Sequence, residues 1–168
     1  GSPFDAGGRD RSDEVLESMR WLGIDALLVV GGDGSLAIAE KLSRQGVPIV
    51  AIPKTIENDI PETGVTFGFA TAVGEAEIAI DRAHVEAKAV YNGVGLVKLM
   101  GREAGFITAT AVLASGEANF CLVPEIPLEL HGPHGFLAKL KRRLQAREHA
   151  VVVVAEGAEP ASGTLPSN

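Results

Sequence analysis

Short apolar runs alternate with helical patterns along the chain, and this alternation is the strongest constraint on its fold. The runs are found at about Ala26–Val30, Ile49–Ile52, Val94–Leu99, Phe120–Val123 and Val151–Ala155. They are continuously apolar rather than alternating, which indicates strands buried on both faces, as in parallel sheets. Because helical patterns separate them, the sequence predicts an α/β fold with three α-β-α layers around a mostly parallel sheet.

Helix signals fill the segments between these strands. Ser12 is expected to cap a first helix that ends at Gly23. Further helices are predicted from Ser35 to Gly46 and at about Thr71–Ala89, Glu103–Ser115 and Pro133–Arg147. The C-terminal stretch is rich in Gly, Pro and Ser, so we expect one α/β domain over residues 1–156 and a mobile tail over 157–168.

The charge of the chain limits its partners. Its 168 residues include 15 Lys and Arg against 22 Asp and Glu, a net charge of −7, so nucleic acid and anionic membrane surfaces should be repelled. No apolar run reaches the length of a membrane-spanning helix and no signal peptide is recognised, which predicts a cytoplasmic protein. Cys121 lies within an apolar run and is expected to be a small core residue in a reducing compartment.

The loop after the first predicted strand has the sequence Gly-Gly-Asp-Gly-Ser, residues Gly31–Ser35. An Asp-Gly pair also suits a hairpin turn, but the next segment is helical. Glycines before a helix let the backbone approach a phosphate, and the free N–H groups of the helix attract it. Asp33 would repel that phosphate unless a divalent cation bridged the two, so the loop predicts phosphate and Mg²⁺ binding.

The loop after the second strand, Pro53–Asp59, carries one cation, Lys54, with the hydroxyl of Thr55 and the carboxylates of Glu57 and Asp59. In isolation these residues would form a solvated surface turn. Because the carboxyl ends of parallel strands meet at one sheet edge, we expect this loop beside Gly31–Ser35. Such a set suits phosphoryl transfer: a carboxylate for the metal, a Lys for the phosphoryl group and a carboxylate for the hydroxyl proton.

Three later strand ends also carry Gly or charged residues, at Lys98–Arg102, Val123–Glu125 and Ala155–Gly157. A basic residue after a buried strand is often only a cap on the sheet edge. Glu125, however, could accept hydrogen bonds from sugar hydroxyls. Five strand ends of this kind indicate a ligand site more strongly than any single loop.

The order and spacing of these blocks resemble the phosphofructokinase family, which phosphorylates fructose 6-phosphate on its 1-hydroxyl. The resemblance runs from about Gly23 to Gly157, and the residues that carry it are Gly31–Ser35, Pro53–Asp59, Phe67–Val73, Asn92–Gly105, Leu122–Glu125 and Ala155–Gly157. Asn92–Arg102 is most similar to the branch that includes the plant-type ATP-dependent enzymes. NAD kinases and diacylglycerol kinases share a similar Gly-Gly-Asp-Gly stretch, but the second block separates them.

The resemblance implies how the phosphoryl donor and metal would be bound. Gly32–Ser35 would lie against the donor phosphates, with Asp33 on the Mg²⁺ and Asp59 supporting the metal. Gly34 is the residue type that the family uses where ATP is the donor, since an acidic side chain there would block the α-phosphate. Lys54 occurs in pyrophosphate-dependent members and in ATP-dependent members of the plant-type branch. We expect ATP, with pyrophosphate as the alternative.

The resemblance also implies the residues that act on the acceptor. Those that would contact fructose 6-phosphate are Thr55, Met100, Gly101, Arg102 and Glu125. Glu57 stands where the family has its general base, and Lys54 and Arg102 would stabilise charge on the transferred phosphoryl group and the sugar phosphate.

The chain departs from the family at Glu57, where the family motif has Asp. The longer side chain moves the carboxylate outward by roughly 1.5 Å, and a misplacement of about 1 Å can cost on the order of 100-fold in rate. We therefore expect reduced activity. Family members also have further strands on both sides of the matched blocks, so we expect the fold to be incomplete at both ends. The exposed sheet edges that result would favour a homo-oligomer.

The sequence therefore favours a phosphofructokinase catalytic segment that is ATP- and Mg²⁺-dependent and produces fructose 1,6-bisphosphate in glycolysis. One alternative is a non-catalytic fragment or paralogue that keeps the fold and phosphate binding. The others are a pyrophosphate-dependent phosphofructokinase and a different sugar or nucleotide kinase with the same Gly-Gly-Asp-Gly loop.

Overall fold

A computed structural model of the chain describes residues 10–160, which fall into two compact units. The first comprises the described residues up to Thr55 together with Ile60–Phe67, and the second comprises Ile56–Asp59 and the described residues from Gly68 onward. The single domain over 1–156 stays a prediction. Most of the predicted tail, residues 161–168, lies outside the described residues.

The first unit is built on two parallel strands with two helices. Its elements are α1 (Ser12–Leu22), β1 (Leu27–Gly31), α2 (Asp33–Arg44) and β2 (Ile49–Thr55), followed by the short β3 (Phe67–Gly68), which crosses into the second unit. The sheet order is β1-β2-β3. In the parallel register Leu27 lies opposite Ile49, and Gly31 lies opposite Pro53, so β1 and β2 end at the same edge.

The core of the first unit lies on one face of this sheet. Met19 of α1 and Leu42 of α2 are buried there, and Leu27 packs against them. On the opposite face Leu28 and Val30 are 73% and 57% exposed. The prediction of strands buried on both faces is therefore wrong for β1, because α1 and α2 both pack on the same side.

The second unit contains a parallel three-stranded sheet. Its elements are α3 (Phe69–Ala89), β4 (Gly93–Leu99), α4 (Phe106–Ser115), β5 (Phe120–Leu122), α5 (Phe136–Arg147) and β6 (His149–Ala155). The strand order is β4-β6-β5, and both pairings of β6 are parallel.

Helices cover both faces of the central strand β6. Val151 and Val153 pack with Ile80 of α3 and Ile107 of α4 in one buried cluster. On the other face, the Phe120 and Phe136 rings meet edge to face at 5.3 Å and join β5 to α5. These contacts give the second unit the predicted three layers.

The predicted α/β class is confirmed, and each predicted strand and helix is present. Two three-stranded sheets replace the single sheet that was expected, and β3 was not predicted because two residues leave no periodic pattern. At α1, Gly23 ends the helix in the left-handed conformation as predicted, whereas Ser12 lies inside the helix and its hydroxyl donates to Asp10. Over residues 10–160, no helix combines the length and apolar character needed to cross a bilayer.

Candidate functional site

The predicted phosphate loop is the start of a helix. Helix α2 begins at Asp33, two residues earlier than predicted, and the Leu36 N–H donates to the Gly32 carbonyl at 3.0 Å as its first helical bond. The N–H groups of the first turn have no partner within the helix. Asp33, Gly34 and Ser35 are exposed there, so this turn presents unpaired donors and one carboxylate to solvent.

The structure brings Gly32 together with the end of β2. Strand β2 extends to Thr55 and so includes Lys54, which the sequence placed in a loop. A Cβ at Gly32 would lie 3.5 Å from the Thr55 Cβ and 3.7 Å from the Lys54 carbonyl oxygen. Lys54 is exposed and Thr55 is half-buried. Gly32 of the first loop therefore lies beside Lys54 and Thr55, as predicted, and all three residues belong to the first unit.

Thr66 fixes the end of β2, and the sequence reasoning missed it. Its side chain is 2% exposed, and its hydroxyl donates to the Thr55 carbonyl at 2.8 Å. The two residues are eleven positions apart, and a single Thr gives no local signal of such a bond. Thr66 therefore holds the backbone of a predicted substrate-binding residue.

The remainder of the second block belongs to the second unit. Ile56 packs against the hydrophobic cluster of that unit. Glu57 and Asp59 are half-buried, and Asn58 between them has a left-handed φ of 55°. A conformation of this kind is uncommon outside Gly and is tolerated by Asn, so the turn fixes where the two carboxylates leave the backbone.

The predicted sugar-phosphate residues follow β4 directly. Met100 is exposed, Gly101 is buried with a φ of 135°, and Arg102 is exposed. The Gly157 N–H, after β6, donates to the Gly101 carbonyl at 3.0 Å. Two of the strand ends predicted to share one edge therefore touch through their backbones.

Glu125 joins a third strand end to this group. Its Oε1 accepts a hydrogen bond of 2.7 Å from the Gly105 N–H, and Gly105 is the residue that precedes α4. A Cβ at Gly105 would lie 2.4 Å from the Val123 Cγ1 and 2.8 Å from the Glu125 Oε2. The carboxylate predicted to bind sugar hydroxyls thus also satisfies a helix N-terminus, and glycine is needed beside it.

Two cavities of the second unit differ in their relation to these residues. One, of about 290 Å³, lies between α3 and the end of β4 and is lined by Ile56, Glu75, Lys98 and Met100 among others. The other, of about 260 Å³, lies beside β5 and α5 and includes none of the predicted site residues. The first cavity therefore lies beside the predicted substrate residue Met100, and Met100 also lines a further cavity of about 330 Å³ with Lys98, Leu99 and Glu156.

The residues predicted to hold Mg²⁺ have suitable chemistry. Mg²⁺ takes oxygen ligands and commonly uses one or two carboxylates together with phosphate oxygens and water. The exposed Asp33 carboxylate in the first turn of α2 fits a cation shared with a phosphate at that turn. Within residues 10–160, no three His, Cys, Asp or Glu side chains converge into a preformed metal site.

Comparison with known proteins places these observations in a family. The family model described as Phosphofructokinase matches residues 2–166. The chain is 48% identical over 151 residues to ATP-dependent 6-phosphofructokinase 5, chloroplastic, of Arabidopsis thaliana, an alignment that covers 86% of this chain and 28% of the plant protein. The chain spans about a third of the length of the curated relatives it matches.

Solved structures agree with this assignment. Phosphofructokinase of Pichia pastoris in the T-state superposes with a TM-score of 0.74 at 28% identity, over 92% of this chain and 20% of the yeast chain. Pyrophosphate-dependent phosphofructokinase from Marinobacter aquaeolei gives a TM-score of 0.71 at 27% identity, over 89% of this chain and 41% of the bacterial chain. Since the family model also matches nearly every residue, the chain belongs to the phosphofructokinase family.

Proposed function

We propose that this chain is a catalytic segment of an ATP-dependent 6-phosphofructokinase, which transfers the γ-phosphoryl group of ATP to the 1-hydroxyl of fructose 6-phosphate in glycolysis. The observation that carries the proposal is the neighbourhood of the α2 N-terminus with Lys54 and Thr55. It combines unpaired backbone donors, a cation and a hydroxyl at one sheet edge. Relatives named ATP-dependent 6-phosphofructokinase support the same reaction.

The donor phosphates would bind at the first turn of α2. The backbone N–H groups of Gly34 and Ser35 point out of the helix start, where the helix dipole also favours an anion. Gly34 has nothing within 4 Å of an added Cβ, so its lack of a side chain leaves space for a phosphate. Asp33 would hold Mg²⁺ with the support of Asp59, and the bound cation would neutralise charge on the phosphoryl group.

The acceptor would be bound by the predicted sugar-phosphate residues of the second unit. Arg102 is exposed and carries a permanent positive charge suited to a phosphate monoester. The Glu125 carboxylate has acceptor positions beyond the one used by Gly105, and these could receive sugar hydroxyls. Met100 and Gly101 would line the same pocket, and Thr55 would donate or accept a hydrogen bond at the sugar.

Glu57 would take the proton of the 1-hydroxyl as it attacks. Removal of this proton raises the nucleophilicity of the oxygen, and a positioned carboxylate typically contributes 10²–10⁴-fold, roughly, to the rate. Lys54 would stabilise the negative charge on the transferred phosphoryl group, and Arg102 would stabilise the charge of the sugar phosphate. The oxygen of the 1-hydroxyl would form a bond to the γ-phosphorus. The bond from the γ-phosphorus to the oxygen that bridges it to the β-phosphorus would break, and that oxygen would keep the electron pair.

Pyrophosphate is the alternative donor, because one of the superposed structures is named a pyrophosphate-dependent phosphofructokinase. ATP is favoured by the names of the curated relatives. We further propose a homo-oligomer in the cytoplasm, although the plant relative is named chloroplastic.

The purified chain should be assayed for fructose 1,6-bisphosphate formation with Mg²⁺ and either ATP or pyrophosphate. Turnover with ATP that is lost on chelation of Mg²⁺ and in Asp33→Asn supports the proposal. Turnover with pyrophosphate alone favours the alternative donor. Binding of Mg-ATP without turnover by either donor favours the non-catalytic alternative, and an absence of both binding and turnover refutes phosphoryl transfer by this chain.

A further inference from the structure

The turn after β6 is bonded to the chain leaving β4. The Glu156 N–H donates to the Leu99 carbonyl at 2.8 Å, and the Gly157 N–H donates to the Gly101 carbonyl at 3.0 Å. The last registered pair of the two strands is Leu99 with Ala155. The backbone pairing therefore continues two residues beyond the strands and reaches the loop that carries Arg102.

Gly157 leaves no room for a side chain against this loop. A Cβ at Gly157 would lie 1.8 Å from the carbonyl oxygen of Arg102, 2.7 Å from its carbonyl carbon and 3.2 Å from its Cα. Each of these atoms belongs to the backbone, so no rotamer change relieves the clash. Gly157 is not among the residues with a positive φ, and glycine is therefore required here for space rather than for backbone conformation.

The loop itself is fixed at both ends. Gly101 has a φ of 135°, and a Cβ there would lie 2.5 Å from the Ala104 carbonyl oxygen, so the loop turns sharply at this residue. The Gly105 N–H is held by the Glu125 carboxylate. With its two ends fixed, the loop can yield to a new side chain at residue 157 mainly by moving Arg102.

We propose that Gly157 is a positioning residue for Arg102. Gly157 packs against the backbone of Arg102 at the carboxyl edge of the second sheet. Its hydrogen bond and its lack of a side chain set the distance of Arg102 from the end of β6. Arg102 is thereby held where the phosphate of fructose 6-phosphate would bind, and this last step rests on the proposed function.

The size of the expected effect follows from the distances. Real Cβ atoms essentially never lie within 3.0 Å of such an atom, so an alanine Cβ at residue 157 and the Arg102 carbonyl oxygen must move apart by about 1.2 Å in total. A misplacement of about 1 Å can cost on the order of 100-fold. Because the sugar phosphate does not react, its contact with Arg102 has similar strength in the ground and transition states, and the loss should fall on KM rather than kcat.

The test compares Gly157→Ala with Gly74→Ala in the full chain. Gly74 lies within α3 with nothing within 4 Å of an added Cβ, so it is a matched glycine-to-alanine control in the same unit. We expect Gly157→Ala to raise KM for fructose 6-phosphate by about 10- to 100-fold with kcat within about threefold, and Gly74→Ala to change neither. In an Arg102→Ala background, Gly157→Ala should have no further effect. An unchanged KM in Gly157→Ala, or an equal rise in KM when Gly157→Ala is added to Arg102→Ala, overturns the proposal.

Amide hydrogen exchange provides a measurement that is independent of the reaction. In the wild type we expect slow exchange at the Gly157 and Gly105 amides, and in Gly157→Ala faster exchange at both, with Gly74→Ala unchanged. If the wild type neither binds nor phosphorylates fructose 6-phosphate, the proposed function fails, and exchange alone then tests the positioning of the loop. If Gly157→Ala does not fold, fast exchange at Gly157 and Gly105 in the wild type overturns the proposal and slow exchange supports it.

Discussion

The Glu125 carboxylate accepts a 2.7 Å hydrogen bond from the backbone N–H of Gly105, which links the end of β5 to the start of α4. Sequence reasoning assigned this carboxylate to sugar hydroxyls alone. An ionised carboxylate has about four acceptor positions, so it can cap the helix and still face a ligand. Glu125 therefore has a structural role that can be measured in the absence of substrate.

We expect Glu125→Ala to lower the free energy of unfolding by about 1–2 kcal/mol, because the N–H of Gly105, the residue before α4, loses its acceptor. Glu125→Gln keeps a carbonyl acceptor and loses only the charge at the helix N-terminus, which costs about 0.3–1 kcal/mol. Urea denaturation measures both changes. Glu129→Ala, at another exposed Glu of the following segment, is the control, and equal losses in Glu129→Ala and Glu125→Ala would contradict the capping role.

Replacement of Thr66 tests the bond that holds the end of β2. Thr66→Val keeps the shape of the side chain but removes the hydroxyl that donates to the Thr55 carbonyl. Because Thr66 is buried, we expect a loss of about 1–3 kcal/mol in the free energy of unfolding, measured by urea denaturation. Thr63→Val is the matched control, since the Thr63 hydroxyl makes only an exposed 3.5 Å contact with the Pro61 carbonyl. Similar losses in the two variants would argue against the Thr66 bond.

Asp10 should show an acid-shifted titration. The side chain of Lys41, followed by the hydroxyl and backbone N–H of Ser12, lowers the pKa of the Asp10 carboxyl from 3.8 to about 2. A lowered pKa means that the ionised form favours the folded state. This contribution is fully present above pH 3.8 and is lost as the pH falls through about 2.

An NMR titration of the Asp10 carboxyl carbon checks this pKa directly. Lys41→Met should raise the pKa toward its ordinary value, and added salt should act in the same direction because the pair is partly exposed. Lys139→Met, in the second unit, should leave the pKa unchanged. A pKa that does not respond to Lys41→Met would refute the assigned cause.

The parallel strands were predictable because their apolar runs are dense and because segments with helical character separate them. The meeting of Gly32 with Thr55 follows from the same pattern, since parallel strands that start in register also end together. The starting residue of α2 was less predictable. Glycine favours loops in a sequence pattern, whereas Gly34 lies inside the first turn of the helix.

Burial was predicted less well because an apolar run does not reveal its position in the sheet. Cys121 was expected in the core, but it is exposed. It lies in β5, a strand of three residues at the edge of its sheet. Leu28 and Val151 both lie in continuously apolar runs. Helices cover both faces of the strand that carries Val151, but only one face of the strand that carries Leu28. The hydrogen bond from Thr66 to Thr55 was also not predictable, because no periodic pattern in the sequence connects the two residues.

Glu57 provides the sharpest test of the proposed chemistry. The resemblance implies Asp at this position, and Asn58, the next residue, has a left-handed φ of 55° that constrains the backbone beside Glu57. The extra methylene must therefore be absorbed by the side chain alone, at a cost of up to about 100-fold in rate for a 1 Å misplacement. We expect Glu57→Asp to raise kcat in the coupled assay and Glu57→Gln to remove most of the turnover. As a control, Glu57→Ser shortens the side chain without restoring a carboxylate and should not raise kcat. An unchanged or lower kcat in Glu57→Asp would refute the proposal that the longer side chain of Glu57 lowers the rate.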